Sequence, residues 1–196
     1  MRKLLGTLLG ATLVFAVDAA GRVMAAPSTP AAGSLDDAQI AQRVLAFGRA
    51  EVQTANAVKA RLSTPPVWQL AQRLSVDDAT LDQRFATLAA ANQQSDSAGA
   101  ADGGVADGQA VGVDLSQLSG ADLEMTYVER EIATHTAMLA ALDGELLPGA
   151  KSEDLQRGLI DLRAETVAHL GHAQDVRHEL KVRALMAIQP EIPWPR

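Results

Sequence analysis

Glu131 and His135 stand four residues apart, and Glu165, His169 and His172 extend the theme as Glu-x-x-x-His-x-x-His. On a helix, such spacing sets carboxylate and imidazole on one face. Those two donors together suit divalent transition metals. Two other segments carry acids in similar settings. Glu51 lies between Gly48 and Ala55, and Asp77 and Asp78 fill the gap between Leu74 and Leu81. Each of these groups interrupts an apolar stripe, where a carboxylate is costly unless paired or coordinated. The candidate metal ligands are therefore Glu51, Asp77, Glu131, His135, Glu165, His169 and His172.

Dinuclear carboxylate sites in helical bundles use one Glu from each of two helices and Glu-x-x-His from each of the other two. Here both Glu-to-His spacings are one residue longer. The spacing favours simple intrahelical pairs, Glu131–His135 and Glu165–His169, each worth about 0.2–0.5 kcal/mol. Arg130 and Arg163 are further pairing partners. The expected cofactor is accordingly none, with a divalent transition metal as the alternative. Tyr127, the single tyrosine, sits one turn before Glu131 and reads as a packing residue with a bonded hydroxyl. His178 falls off the stripe and is expected at the surface.

Other chemistries find no support. The chain has no cysteine, so it has no thiolate ligand, thiol nucleophile or disulfide framework. No serine lies in a nucleophile-elbow motif, and no glycine loop has the pattern that cradles phosphate. With 17 Lys+Arg against 24 Asp+Glu the chain is acidic, which argues against a nucleic-acid partner.

Four helices must position the polar residues. The first is expected over 35–62, capped by Ser34 or Asp36, with Val44, Gly48, Ala55, Val58 and Leu62 on one face. The second is expected from Pro66 to Asn92 along Val67, Leu70, Leu74, Leu81, Phe85 and Leu88. The third starts from a Ser119–Asp122 capping box, follows Ala121, Val128, Leu139, Leu142 and Leu146, and stops at Pro148-Gly149. The fourth starts at Ser152 and runs to Ala187 along Leu155, Leu159, Leu162, Ala173, Val176, Leu180 and Ala184. Residues 93–119, rich in Gly, Ala, Ser and Asp, read as a flexible loop, because they hold too little apolar surface to offset chain entropy. No useful stretch alternates with period two, so the fold class is all-α. It is an antiparallel four-helix bundle with a long loop between helices 2 and 3. The bundle domain spans 35–187, and a Pro-rich tail occupies 188–196.

The amino terminus reads as an address. Arg2 and Lys3 precede an apolar run from Leu4 to Val17, too short to span a bilayer, with small residues downstream. Residues 1–25 are expected to be a signal peptide cleaved after Ala25, followed by a flexible leader over 26–34. Cleavage removes three cations and one anion, leaving 14 against 23. The expected location is periplasmic or secreted, with no stable membrane span after cleavage.

Several segments also carry a family resemblance: AEVQTANAV at 50–58, LAQRLSVDD at 70–78, LEMTYVEREIATH at 123–135 and VAHLGHA at 167–173. From Asp37 to Val182 the chain resembles a ferritin-like, exported bacterial family of unknown function, often labelled "predicted outer membrane protein". The family usually has Asp-His where this chain has Asp77-Asp78, and commonly a shorter connection than 93–119. The resemblance implies a ferritin-like four-helix bundle in the periplasm or at the outer envelope, and implies no reaction.

The sequence thus favours a non-enzymatic, exported helical-bundle protein of the cell envelope, with stress response as one role. The alternative is a metal-binding ferritin-like protein using the carboxylates and histidines of the seam. A protein partner, or self-association through helix faces, is the third expectation.

Overall fold

A computed structural model describes residues 35–95 and 114–188. The expected signal peptide, leader and Pro-rich tail, and most of the expected loop, lie outside the described residues. Four helices account for nearly all that is described, and no strand occurs among those residues.

Helix α1 spans Asp37–Lys59. It begins in a reciprocal box: Gln39 N donates to Asp36 Oδ1 at 2.7 Å, and Asp36 N donates to Gln39 Oε1 at 2.9 Å. Asp36, not Ser34, is the cap. Helix α2 spans Pro65–Ser95, with two prolines in a first turn where no N–H is needed. Its start is capped from a distant part of the chain. Glu124 Oε1 accepts from Ser63 N at 2.6 Å and Thr64 N at 2.8 Å, and Glu124 Oε2 accepts from the Thr64 hydroxyl.

Residues 93–95 belong to α2, and 114–119 are folded, so the expected flexible loop is too wide at both ends. Asp114 caps a 3-10 turn over Leu115–Gln117. The Arg61 guanidinium donates to the carbonyls of Leu115 at 3.1 Å and Ser116 at 3.3 Å, and also to that of Leu118. Leu115 and Leu118 pack against the core, which supplies the apolar anchor that a Gly/Asp composition conceals.

Helix α3 spans Gly120–Ala141. The expected Ser119–Asp122 box does not form, and the Ser119 side chain makes no capping bond. Asp122 is one methylene shorter than the Glu or Gln of such a box, and Gly120 enters the helix at φ +56°. The helix continues through a π-helical turn, Leu142–Leu146, in which Leu147 N donates to Leu142 O, five residues back. Pro148 follows in a last α-turn, Leu147–Gly149. Proline offers no N–H to the carbonyl of Gly144, so the wider turn sits where the α ladder has lost a donor. Helix α4 spans Glu153–Ile188. Ser152 Oγ caps it, accepting from Leu155 N at 3.3 Å. Asp37 accepts from Lys151 N at 2.8 Å and Ser152 N at 2.7 Å, which ties the starts of α1 and α4 together.

Cross-helix bonds fix the directions. Arg49 bonds Asp82 while Lys59 bonds Gln72, so α1 and α2 are antiparallel. Arg163 bonds Asp143 while Arg177 bonds Glu129, so α3 and α4 are antiparallel. Arg84–Asp161 and His169–Asp77 give the same result for α2 and α4. Arg43–Glu145 and Arg130–Glu51 do so for α1 and α3. Helices α2 and α3 therefore point the same way.

The core is divided. One apolar cluster is built from Ile40, Val44, Leu45, Leu81, Phe85, Leu142, Leu146, Leu155 and Leu159 and their neighbours. The other gathers Ala55, Val58, Leu70, Leu74, Leu123, Tyr127, Val128 and Val176. On α3 the buried face differs from the expected stripe. Ala121 is exposed and Leu139 half-buried, while Leu123, Tyr127 and Met138 are buried. On α4, Ala184 is exposed and Leu180 half-buried.

Candidate metal centre

Apart from Glu124, which caps the start of α2, the buried charged residues and histidines fill the gap between the two apolar clusters on every helix. Glu51 lies between Leu45 and Ala55 on α1, and Asp78 between Leu74 and Leu81 on α2. Arg130, Glu131 and His135 lie between Val128 and Met138 on α3, and His169 between Leu162 and Ala173 on α4. They form one polar layer across the interior.

Arg130 organises it. Its Nη1 donates to Glu131 Oε1 at 2.6 Å and its Nη2 to Glu51 Oε1 at 3.1 Å. One oxygen of each carboxylate is thereby held, and Oε2 of each receives no hydrogen bond among the described residues. His135 Nδ1 lies 2.8 Å from the Glu131 carbonyl, so it carries the hydrogen and donates. That leaves the lone pair on His135 Nε2, which is buried and also without a partner among the described residues. Glu51, Glu131 and His135 each offer a ligand atom, and these atoms lie within 4.8 Å of one another.

The charges follow from burial. Burial, and then the negative charge of Glu51, pushes the Glu131 carboxyl well above the usual carboxylate range, against the pull of Arg130. Asp78 is pushed up to about 8 by burial, then by Glu51, Asp77 and Glu165. Burial lowers His135, so its imidazole is neutral at pH 7. Burial would also lower Arg130, but Glu51 and Glu131 outweigh it and hold the guanidinium charged.

Of the seven expected ligands, the structure brings Glu51, Glu131 and His135 together. His169 is buried beside them, its ring meeting that of His135 edge-on at a centroid distance of 5.5 Å. The other three stand apart. Asp77 is half-exposed and bonds His169 Nε2 through Oδ2 at 2.9 Å, while Glu165 is exposed and His172 half-buried. The intrahelical pairs give way to other partners. His169 pairs across to α2 rather than with Glu165, and His135 bonds the backbone of Glu131 rather than its carboxylate, whose Oε2 is 3.8 Å away. Arg163 takes no part, since it is occupied at the surface by Asp143 at 2.6 and 3.1 Å. The Tyr127 hydroxyl is buried without a partner among the described residues, contrary to expectation. His178 is exposed as expected.

Asp78 and Arg130 belong to the layer and were not among the expected ligands. Asp78 follows Leu74 by four and precedes Leu81 by three, so its place on the stripe was as visible as that of Asp77. Arg130 has no such signal beyond adjoining Glu131.

Residues 22–176 match the family described as Domain of unknown function (DUF4142). The chain belongs to this family. Neither a curated relative nor a solved structure matches the chain. No helix among the described residues is long and apolar enough to cross a membrane.

Proposed function

We propose that this member of the DUF4142 family is an exported, ferritin-like helical protein of the bacterial cell envelope that binds one divalent transition-metal ion in its interior. The observation that carries the reading is the convergence of Glu51, Glu131 and His135, which offer ligand atoms within 4.8 Å of one another and each of which keeps a buried side-chain atom (Oε2, Oε2 and Nε2) without a hydrogen-bond partner among the described residues. The fit is good on two further counts. Arg130 orients both carboxylates through their other oxygens, and a backbone carbonyl fixes the His135 tautomer, as outer-shell partners of metal ligands do. A mixed carboxylate and imidazole set suits Mn(II), Fe(II) or Zn(II). Burial raises the Glu131 carboxyl's affinity for a proton, so the bound ion would compete with that proton, since ligands bind deprotonated. The ferritin-like reading is supported by α2 and α3 pointing the same way, as in bundles with one long crossover. The export reading rests on the charged start and short apolar run of residues 1–25.

Arg130 favours a second reading, a purely structural polar layer. Its guanidinium already offsets one carboxylate charge, and a proton shared by Glu51 and Glu131 would satisfy both remaining oxygens. Thermal melts of protein purified without a His tag separate the two. Mn(II), Fe(II) or Zn(II) should raise the Tm of the wild type and leave His135→Ala and Glu51→Gln unmoved, because a ligand stabilises only the state that binds it. A wild-type melt indifferent to every metal at near-millimolar concentration leaves the structural layer. For export, the periplasmic protein should begin at Ala26.

A further inference from the structure

Glu51, Glu131 and His135 are only 1–2% exposed, so no ion reaches them directly from solvent. Apolar clusters close the layer along the helix axes. Toward α2 and α4 the polar character continues. The ring of His135 meets that of His169, His169 Nε2 meets Asp77 Oδ2 at 2.9 Å, and Asp77 is half-exposed. Asp77 borders a surface cleft of about 330 Å³, lined also by Arg73, Thr80, Leu81, Arg84 and Glu165.

We infer that this cleft between α2 and α4 is the port through which a divalent cation enters and leaves the centre, with Asp77 and Glu165 as its outer carboxylates and His169 as its inner gate. The inference rests on the metal-binding reading above. Three features support it. A carboxylate at a cleft mouth, here Glu165, concentrates cations locally and raises the capture rate. Arg84 is engaged with Asp161 outside this cleft, and Arg73 pairs at 3.3 Å with Asp77 itself, so Glu165 supplies the charge that draws a cation in. The Asp77 carboxylate holds His169 from its outer side, and a cation captured there competes with the imidazole for that oxygen. Release of His169 from Asp77 frees its ring to swing, which opens the layer toward the His135 ring that it meets.

The port controls rate and not affinity, since Asp77 and Glu165 stay outside the final ligand set. Stopped-flow uptake of Co(II), followed by its visible absorption, and chelator-driven release provide the test. In Glu165→Gln, uptake and release should both slow by roughly tenfold, with the dissociation constant kept within about threefold of wild type. Asp122→Asn, which removes the same charge from an exposed position at the start of α3, should match wild type. A wild type that develops no Co(II) spectrum overturns the centre and the port together. A wild-type spectrum with rates unmoved in Glu165→Gln, or slowed equally in Asp122→Asn, overturns the port alone.

Discussion

Arg130 on α3 and Glu51 on α1 form an ion pair at 3.1 Å with side chains only 5% and 2% exposed. The same guanidinium bonds Glu131 at 2.6 Å, so one cation serves two buried carboxylates. Removing one partner of a buried pair leaves an uncompensated charge and typically costs about 3–5 kcal/mol. Arg130→Met should cost that much at pH 8. Without the cation, the already raised Glu131 carboxyl rises further, so its proton is held to higher pH in the folded state than in the unfolded state. The penalty therefore grows with pH and shrinks toward pH 5. Urea unfolding at both pH values measures it. An equal loss at the two would show that Arg130 acts through packing alone.

Glu124, near the start of α3, bonds Thr64 just ahead of α2, 60 residues away in sequence. It accepts from both backbone N–H groups ahead of α2 and from the hydroxyls of Ser63 and Thr64. Hydrogen bonds to a charged acceptor are worth about 1.5–3 kcal/mol, so Glu124→Ala should lower stability by about 2–3 kcal/mol at pH 7. Burial alone would raise this carboxyl, but the bonds from Thr64 and Ser63 outweigh it and leave it below its ordinary value of 4.5. A depressed carboxyl stabilises the fold above its unfolded pKa, and that stability is lost as pH falls through the folded one. The deficit of Glu124→Ala should accordingly narrow below pH 4.5. Chemical denaturation across pH 3–7 is the check.

What the sequence discloses here depends on periodicity. Helix existence followed from stripes such as Leu70–Leu74–Leu81–Phe85, because burial on one face leaves a repeat that composition cannot hide. The same repeat placed Glu51, Glu131, His135 and His169 in the interior. Glu165 was misplaced because i and i+4 positions drift around a helix, and His169 is near the edge of the buried face. Its neighbour four residues earlier therefore reaches solvent. Arg130 was legible as a pairing partner, but the helix it reaches across to, and the partner of His169, were not. Arg130 to Glu51 and His169 to Asp77 are contacts across 79 and 92 residues, which local spacing does not encode. The π-helical turn escaped because Pro148 reads equally well as a helix stop.

Two glycines on α4 separate helix propensity from packing. A Cβ built at Gly171 meets nothing within 4 Å, whereas one at Gly158 comes within 3.2 Å of Leu88 Cδ1 and 3.3 Å of Phe85 Cζ. Alanine is favoured over glycine inside a helix by about 0.8–1.0 kcal/mol. Gly171→Ala should recover most of that. Gly158→Ala should recover less, because Leu88 and the buried Phe85 ring must yield. Paired thermal melts decide, and a larger gain at 158 than at 171 would contradict the packing described.

Asp78 puts the polar layer itself on trial. Burial first, then Glu51, Asp77 and Glu165, raise its carboxyl from 3.8 to about 8. A group whose folded pKa lies above its unfolded value costs nothing below the unfolded one. Stability then falls as pH rises between the two values, by about 1.4 kcal/mol per pH unit. Glu131 acts in the same direction. His135 acts oppositely. Its pKa is depressed below 6.5, so its contribution is complete above that pH and is lost only on acidification. The window from pH 6.5 to 8 thus isolates the buried acids, and wild-type stability should decline across it. Asp78→Asn removes one titration while keeping size. The variant should be more stable than wild type at pH 8 by a few kcal/mol, with a shallower slope from pH 6.5 upward. Wild type and variant running parallel across that window would mean that Asp78 is ionised in the folded protein, with a cation other than Arg130 compensating it.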